Sequence, residues 1–189
     1  MIQFSNNYLT GKCLISTPNM EDERFSQTLI YICSHSKEGA MGFVVNKKIK
    51  EFSFADLANQ LPINTLRPIE PLDLHQGGPL EKVRGFVLHT TDYIKPDTVV
   101  IDGQIAVSSS IDVITDIAFG NGPKDNLIAL GYASWAPKQL ENEIINNSWL
   151  VTTPTPELVF RTKDEDKWQR AMDSIGIDID RLCCYTGHA

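Results

Sequence analysis

Apolar and polar residues follow one another along this chain in two rhythms, and the switches between them mark the elements. Lys12 to Ser16 and Thr28 to Ser34 are short β-branched or apolar runs between polar borders, which is the pattern of strands. Ser36-Lys37-Glu38-Gly39 reads as a turn into a third strand, Ala40 to Asn46. Gly39 supplies the positive φ that an antiparallel hairpin needs there. Ser53 to Leu61 has helical spacing, with Phe54, Leu57, Ala58 and Leu61 on one face. Pro62, Pro68 and Pro71 then keep the chain extended. Asp73 to His75 is a short strand entering the turn Gly77-Gly78-Pro79, and Arg84 to His89 is a strand of its own.

The second half continues in the same way. Thr98 to Ile101 and Gln104 to Val107 flank Asp102-Gly103, a strong hairpin signal. A helix from Ser109 or Ser110 to about Phe119 opens on Ser109 and Asp112 at capping-box spacing, and Gly120-Asn121-Gly122-Pro123 stops it. Asn126 to Ala133 reads as a buried strand. Pro137 to Asn147 reads as a helix with Leu140, Ile144 and Ile145 inward and Glu141 and Glu143 outward. Trp149 to Thr153 returns as a strand. Asp164 to Ser174 is the last helix, acidic at its start and ended by Gly176. Helices and strands are interleaved, yet two connections are tight hairpins, so the sheet is predicted to be mixed and the fold class α+β.

Composition bounds the picture. The chain has 189 residues, enough for one domain over 1–189 that buries about 70% of its unfolded surface without disulfides or a metal. The formal charge of −7 disfavours non-specific binding to phosphate backbones. Apolar runs are only a few residues long, against the roughly 20 that a membrane helix needs, and the start carries no signal-peptide pattern. A cytoplasmic location is expected. Cys13 and Cys33 lie in apolar runs, while Cys183 and Cys184 are adjacent near the C-terminus; all four read as thiols.

The chemical signals are sparse. Ser134 follows a strand and precedes a helix, but a nucleophile elbow would place glycine where Tyr132 and Ala136 stand. Cys33 and His35 lie two apart on a strand and make half a metal site, with no spacing that supplies the rest. No phosphate-binding glycine signature follows Gly77-Gly78, although such a turn can offer backbone N–H groups to an anion. Phe54 to Leu61 superficially resembles the first helix of a helix-turn-helix, but Pro68 breaks the second and Arg67 is its sole cation. Direct DNA binding is therefore disfavoured. Lys47, Lys48 and Lys50 form the one basic cluster. Asn46, Gly77, Gly78, Arg84 and His89 are the best candidates for a shared ligand-binding surface, with His89 placed at a strand end where such sheets hold ligands. Trp135, beside Pro137, is expected to be partly exposed and available to a partner. No catalytic set, cofactor or metal site is predicted.

An ordered series of segments carries a further signal. Gly39 to Asn46, Gly77-Gly78-Pro79, Arg84 to His89, Leu130-Gly131-Tyr132-Ala133-Ser134-Trp135, Gln139-Leu140-Glu141 and Gly187-His188-Ala189 together resemble the YqgE/AlgH family from about Leu9 to Ala189. The resemblance implies a complex α+β fold with a bifurcated, partly barrel-like mixed sheet surrounded by helices. It also implies a bacterial cytosolic protein. Some family members carry the label of transcriptional regulator, and the family offers no agreed catalytic residues. This chain departs from the family's Gly-Tyr-Ala-Gly-Trp by having Ser134, and from the Gly-Ala-Gly that follows by having Ala136-Pro137-Lys138. The expectation is a non-enzymatic regulatory or interaction module acting through a protein partner. The alternatives are a small-molecule sensor or enzyme using the surface near Asn46, Gly78, Arg84 and His89, and a direct DNA-binding regulator.

Overall fold

The computed structural model describes residues 8–60 and 72–177. Nine strands lie in this part of the chain: β1 (Cys13–Ser16), β2 (Leu29–Ser36), β3 (Gly39–Val44), β4 (Leu74–Gln76), β5 (Leu80–Thr90), β6 (Val99–Val100), β7 (Ile105–Ser108), β8 (Asn126–Trp135) and β9 (Trp149–Thr152). The helices are α1 (Phe54–Gln60), α2 (Ile111–Ala118), α3 (Gln139–Ile145) and α4 (Asp164–Ser174). A 3₁₀ turn at Glu23–Phe25 and a π-helical turn at Glu157–Arg161 complete the list among the described residues. The tail with Cys183, Cys184 and His188, and the segment around Pro62, Arg67 and Pro68, lie outside the described residues.

The strands form one curled sheet in the order β6-β7-β5-β8-β3-β2-β1-β9, with β4 attached to β8 off this path. Every pairing is antiparallel except β4 with β8, so the sheet is mixed, as the sequence pattern predicts. The bifurcation sits on β8. One edge of β8 pairs with β5. The other edge pairs first with β4, through Leu74↔Ile128 to Gln76↔Leu130, and then with β3, through Gly42↔Ala133 to Ala40↔Trp135. Gly77 stands at the fork itself. Its N–H donates to Leu130 O at 2.8 Å and its carbonyl accepts from Val44 N at 2.8 Å, so it bonds to β8 and β3 at once.

Such an approach leaves no room for side chains. A Cβ on Gly77 would lie 2.3 Å from Gly131 O, and one on Gly78 would lie 2.0 Å from Tyr132 C. Gly131 has φ +76, and its Cβ would lie 2.5 Å from Leu80 O. Opposite Gly131, β5 makes an excursion. Leu80 pairs with Tyr132 and Gly85 with Leu130, so Glu81 to Arg84 leave the ladder, and Val83 is 96% exposed.

Strand alternation divides the apolar residues between the two faces. Tyr31, Phe43, Phe86 and Leu88 pack with Trp168 and Met172 of α4. On the opposite face, Leu14, Ile30 and Trp149 pack under α3, and Val87 and Ile128 pack with Phe54 of α1 and Val113 of α2. Burial on both faces explains the near-continuous apolar runs, each large side chain contributing about 1.5–3 kcal/mol.

The helix caps depart from the sequence expectation. No hydroxyl caps α2; the Asp97 carboxylate accepts from Ser109 N and Ser110 N instead. The capping box forms at α1, where Ser53 Oγ accepts from Asp56 N and Asp56 Oδ2 accepts from Ser53 N. In α3, Ile145 is exposed rather than inward.

The close approach at the fork is testable by equilibrium urea denaturation. Gly78→Ala and Gly131→Ala should each cost at least about 2 kcal/mol, because backbone must move. Gly103, whose Cβ would meet nothing within 4 Å, is the control: Gly103→Ala should fall within about 0.5 kcal/mol of the parent.

Candidate functional site

The fork opens a cleft on the α3 side of the sheet. Pro79 and Leu80 leave Gly78 along one wall, Ala133 to Trp135 continue from Gly131 along the other, and the 3₁₀ turn with Arg24 and Phe25 closes it. Its volume is about 530 Å³, within the size range of ligand sites. Trp135 and Trp149 form the floor, edge to face at 6.1 Å, and Phe25 stands edge to face on Trp149 at 5.7 Å. One carboxylate fixes the floor. Glu143 Oε2 accepts from Trp135 Nε1 at 2.9 Å and from Trp149 Nε1 at 2.8 Å, while its Oε1 accepts from Gln139 Nε2. Glu143 therefore turns toward the cleft and not outward as helical periodicity suggests. Trp135 is 6% exposed: it is floor, not the partly free partner residue expected from its place beside Pro137.

The five residues singled out in the sequence do not meet in one cavity. His89 is fully buried at the far end of β5, where its Nδ1–H donates to Thr90 O and its Nε2 accepts from Ser108 Oγ. Asn46 ties backbone together, accepting from Leu29 N and donating to Gln27 O. Arg84 lies on the exposed excursion, paired with Glu81 at 3.2 Å and with its guanidinium 5.0 Å from the centre of the Phe86 ring. Gly77 spends its N–H inside the sheet. Gly78 lines a cavity, a smaller one of about 120 Å³. It is lined by Lys47, Gln76 and Lys82, and it shares Arg24, Phe25 and Pro79 with the larger cleft.

The remaining sequence candidates are engaged in the fold. His35 Nδ1 accepts from Leu9 N, so its Nε2–H faces Glu141 at 3.2 Å. Cys33 packs against the α4-side core, and burial pushes both its thiol and that of Cys13 well up. Lys48 pairs with Asp73 at 2.6 Å.

A second cluster, invisible in the sequence, lies where α4 meets the sheet around a cavity of about 250 Å³. Lys167 is 2% exposed and donates to Val45 O at 2.6 Å and Asp164 Oδ1 at 2.7 Å. Asp164 Oδ2 accepts from His75 Nε2 at 3.0 Å. Burial pushes the Asp164 carboxyl up, but the hydrogen bonds from His75 and Lys167 outweigh it and hold the group well below the usual carboxylate range. Burial pushes Lys167 down, with Asp164 opposing. These charges are spent on one another, and the cluster acts as a tie between α4 and the strands.

Removing one partner of that tie should be severe. Asp164→Asn is expected to lose about 3–5 kcal/mol at pH 7, because the Lys167 charge stays buried unmatched. A carboxylate whose folded pKa is depressed contributes fully above its unfolded value near 4 and progressively less below it. The gap between parent and Asp164→Asn, followed by denaturation from pH 7 to 2, should therefore hold down to about pH 4 and then shrink. Glu143→Ala should cost about 2–4 kcal/mol through two orphaned indole N–H groups, and should move the Trp135 and Trp149 indole signals in a ¹H–¹⁵N spectrum.

Comparison with known proteins agrees with this architecture. The family model described as AlgH-like matches residues 13–180. A UPF0301 protein of Rhodospirillum rubrum is 43% identical over all of this chain and 98% of its own length. One from Nitrobacter hamburgensis is 45% identical over 97% of this chain and 88% of its own. The solution structure of the AlgH protein from Pseudomonas aeruginosa superposes with a TM-score of 0.80 at 37% identity, covering both chains completely. A crystal structure of a Corynebacterium diphtheriae protein shares the fold, with a TM-score of 0.71 at 22% identity over 89% of this chain and 88% of its own. Among the described residues no helix is long and apolar enough to cross a membrane. With a family model spanning most of its length and full-length relatives above 40% identity, the chain belongs to the AlgH-like family.

Proposed function

We propose that this protein is a non-enzymatic regulatory module that takes a small ligand in the cleft at the fork of its sheet. The observation that carries the reading is the aromatic floor. Two indoles are held by one carboxylate beneath a cleft of about 530 Å³, and Phe25, Pro79 and Leu80 offer apolar walls. A few fixed polar groups above a rigid apolar base are what a ligand site of this size needs. Absence of turnover fits the residues around the cleft. Its hydroxyls, Ser134 and Ser148, have no histidine, lysine or cysteine beside them among the lining residues, and among the described residues neither is hydrogen-bonded to a carboxylate that could serve as its base. Both oxygens of Glu143 are occupied.

A regulatory output fits the same geometry. Leu80 lines the cleft and leads directly into the exposed Glu81 to Arg84 excursion, so a ligand against Leu80 bears on a surface a protein partner can read. An effect on transcription would then be indirect, in keeping with the net charge of −7.

A thermal-shift screen of small aromatic compounds, followed by ¹H–¹⁵N titration of the hits, tests the reading. Hits should move the indole signals of Trp135 and Trp149 and spare that of Trp168, whose N–H is bonded to Ser16 O. At a hundredfold excess over Kd the stabilisation should be about 2.7 kcal/mol. Ser134→Trp, a change at an exposed cleft position, should fill the space and abolish the shifts. Hits that bind equally well to Ser134→Trp would refute the site.

A further inference from the structure

We infer that the ligand of the fork cleft is a small aromatic anion, with its ring over the tryptophan floor and its phosphate or carboxylate in the adjoining basic lobe. This rests on the reading of the cleft as a binding site. The basic lobe is the cavity of about 120 Å³ between Lys47 and Lys82, which shares Arg24, Phe25 and Pro79 with the cleft. A molecule on the aromatic floor that extends past Phe25 enters it.

The charges in this lobe are unbalanced. Several lysines elsewhere are held by carboxylates: Lys48 by Asp73 at 2.6 Å, Lys95 by Asp116 at 3.0 Å and Lys167 by Asp164 at 2.7 Å. Among the described residues neither Lys47 nor Lys82 has a carboxylate within 4.0 Å. Lys47 is half-buried, and its Nζ donates only to the neutral Ser26 O at 2.8 Å, leaving two N–H groups for a ligand. Burial pushes its ammonium down, the response of a cation short of a counter-charge. On a chain of net charge −7, two lysines without a carboxylate partner that line one cavity make a local excess of positive charge, which an anion would complete.

The acids around the larger cleft set the orientation. Asp22 grips Arg24 in a fork-to-fork pair, through Nε at 2.9 Å and Nη2 at 2.6 Å, which fixes the guanidinium where the two lobes join. Glu21 and Asp22 line the cleft but not the lobe, so a ligand's negative end is repelled from one side and drawn to the other. Gly78, with no side chain, lets the lobe reach the backbone.

Four probes test this by ¹H–¹⁵N titration of the full chain: phenol, phenyl phosphate, benzylamine and inorganic phosphate. Phenyl phosphate should bind at least about tenfold more tightly than phenol and move the Lys47 and Lys82 amides along with both indoles. The preference should weaken with added salt. In the double variant Lys47→Gln/Lys82→Gln it should vanish, bringing phenyl phosphate down to the affinity of phenol. If phenol and phenyl phosphate bind the parent alike, or benzylamine binds best, the anion inference falls while the cleft reading stands. If no ring compound moves the indoles and only inorganic phosphate moves Lys47 and Lys82, both fall. A preference that survives in the double variant overturns the assignment to these lysines.

Discussion

Everything distinctive in this fold depends on the contact between two glycine sites far apart in sequence. Gly77 and Gly78 press against Gly131 and Tyr132 so closely that any Cβ would meet backbone at 2.0–2.3 Å. That contact lets β4 sit on the same edge of β8 as β3 and then leave it at Gly78. Without it β8 would have one neighbour per edge, and the sheet would continue without forking. The positive φ of Gly131 turns β8 at the same point and throws Glu81 to Arg84 out of the opposite ladder. Fork and excursion are two effects of one steric condition.

The cleft follows from that condition. A sheet that splits must leave a gap between its branches, and here the gap is walled on one side by the residues that follow the glycine on β8 and floored by Trp135 and Trp149. Ala133 to Trp135 lie just beyond Gly131, and Pro79 and Leu80 just beyond Gly78, so both walls are anchored to the rigid contact. Glu143 completes the base from α3. A carboxylate accepting two indole N–H groups is costly to desolvate but orients both rings. Rigidity of this kind lowers the ordering cost of binding.

The strand and helix pattern was largely legible in the sequence because its elements announce themselves locally. The Gly39 hairpin, the Asp102-Gly103 hairpin and α4 lie where periodicity and turn chemistry place them. Side-chain fates were less legible, because they depend on non-local partners. His89 ends a strand, as expected, but pairing with β7 brings Ser108 to its ring and buries it. Glu143 occupies an outward-reading helical position, yet two tryptophans on β8 and β9 draw it in. Asp164 belongs to the acidic start expected of the last helix, but nothing local signals that it and Lys167 meet His75 and Val45 O. The turn at Gly77 and Gly78 was visible, while its true role, a contact with Gly131, was not. Only the pairing of β4 with β8 reveals it.

The short stretch from Val45 to Lys48 ties α4, β2 and β4 to the end of β3. Val45 O receives the buried Lys167 ammonium, which docks α4. Asn46 stitches the backbone on both sides of Thr28 to the end of β3. Lys47 O accepts from Gln76 N, which holds β4 just ahead of the fork. Consecutive lysines then take opposite courses: Lys48 goes to Asp73 and the charge cluster, Lys47 to the basic lobe. One is neutralised by the protein and the other is not, although both are held by the same few backbone bonds. Lys47 half-buries its stem and rests its ammonium on the Ser26 carbonyl beside the cavity. Its place there, fixed by the same stretch that fixes the fork, makes the basic lobe part of the architecture.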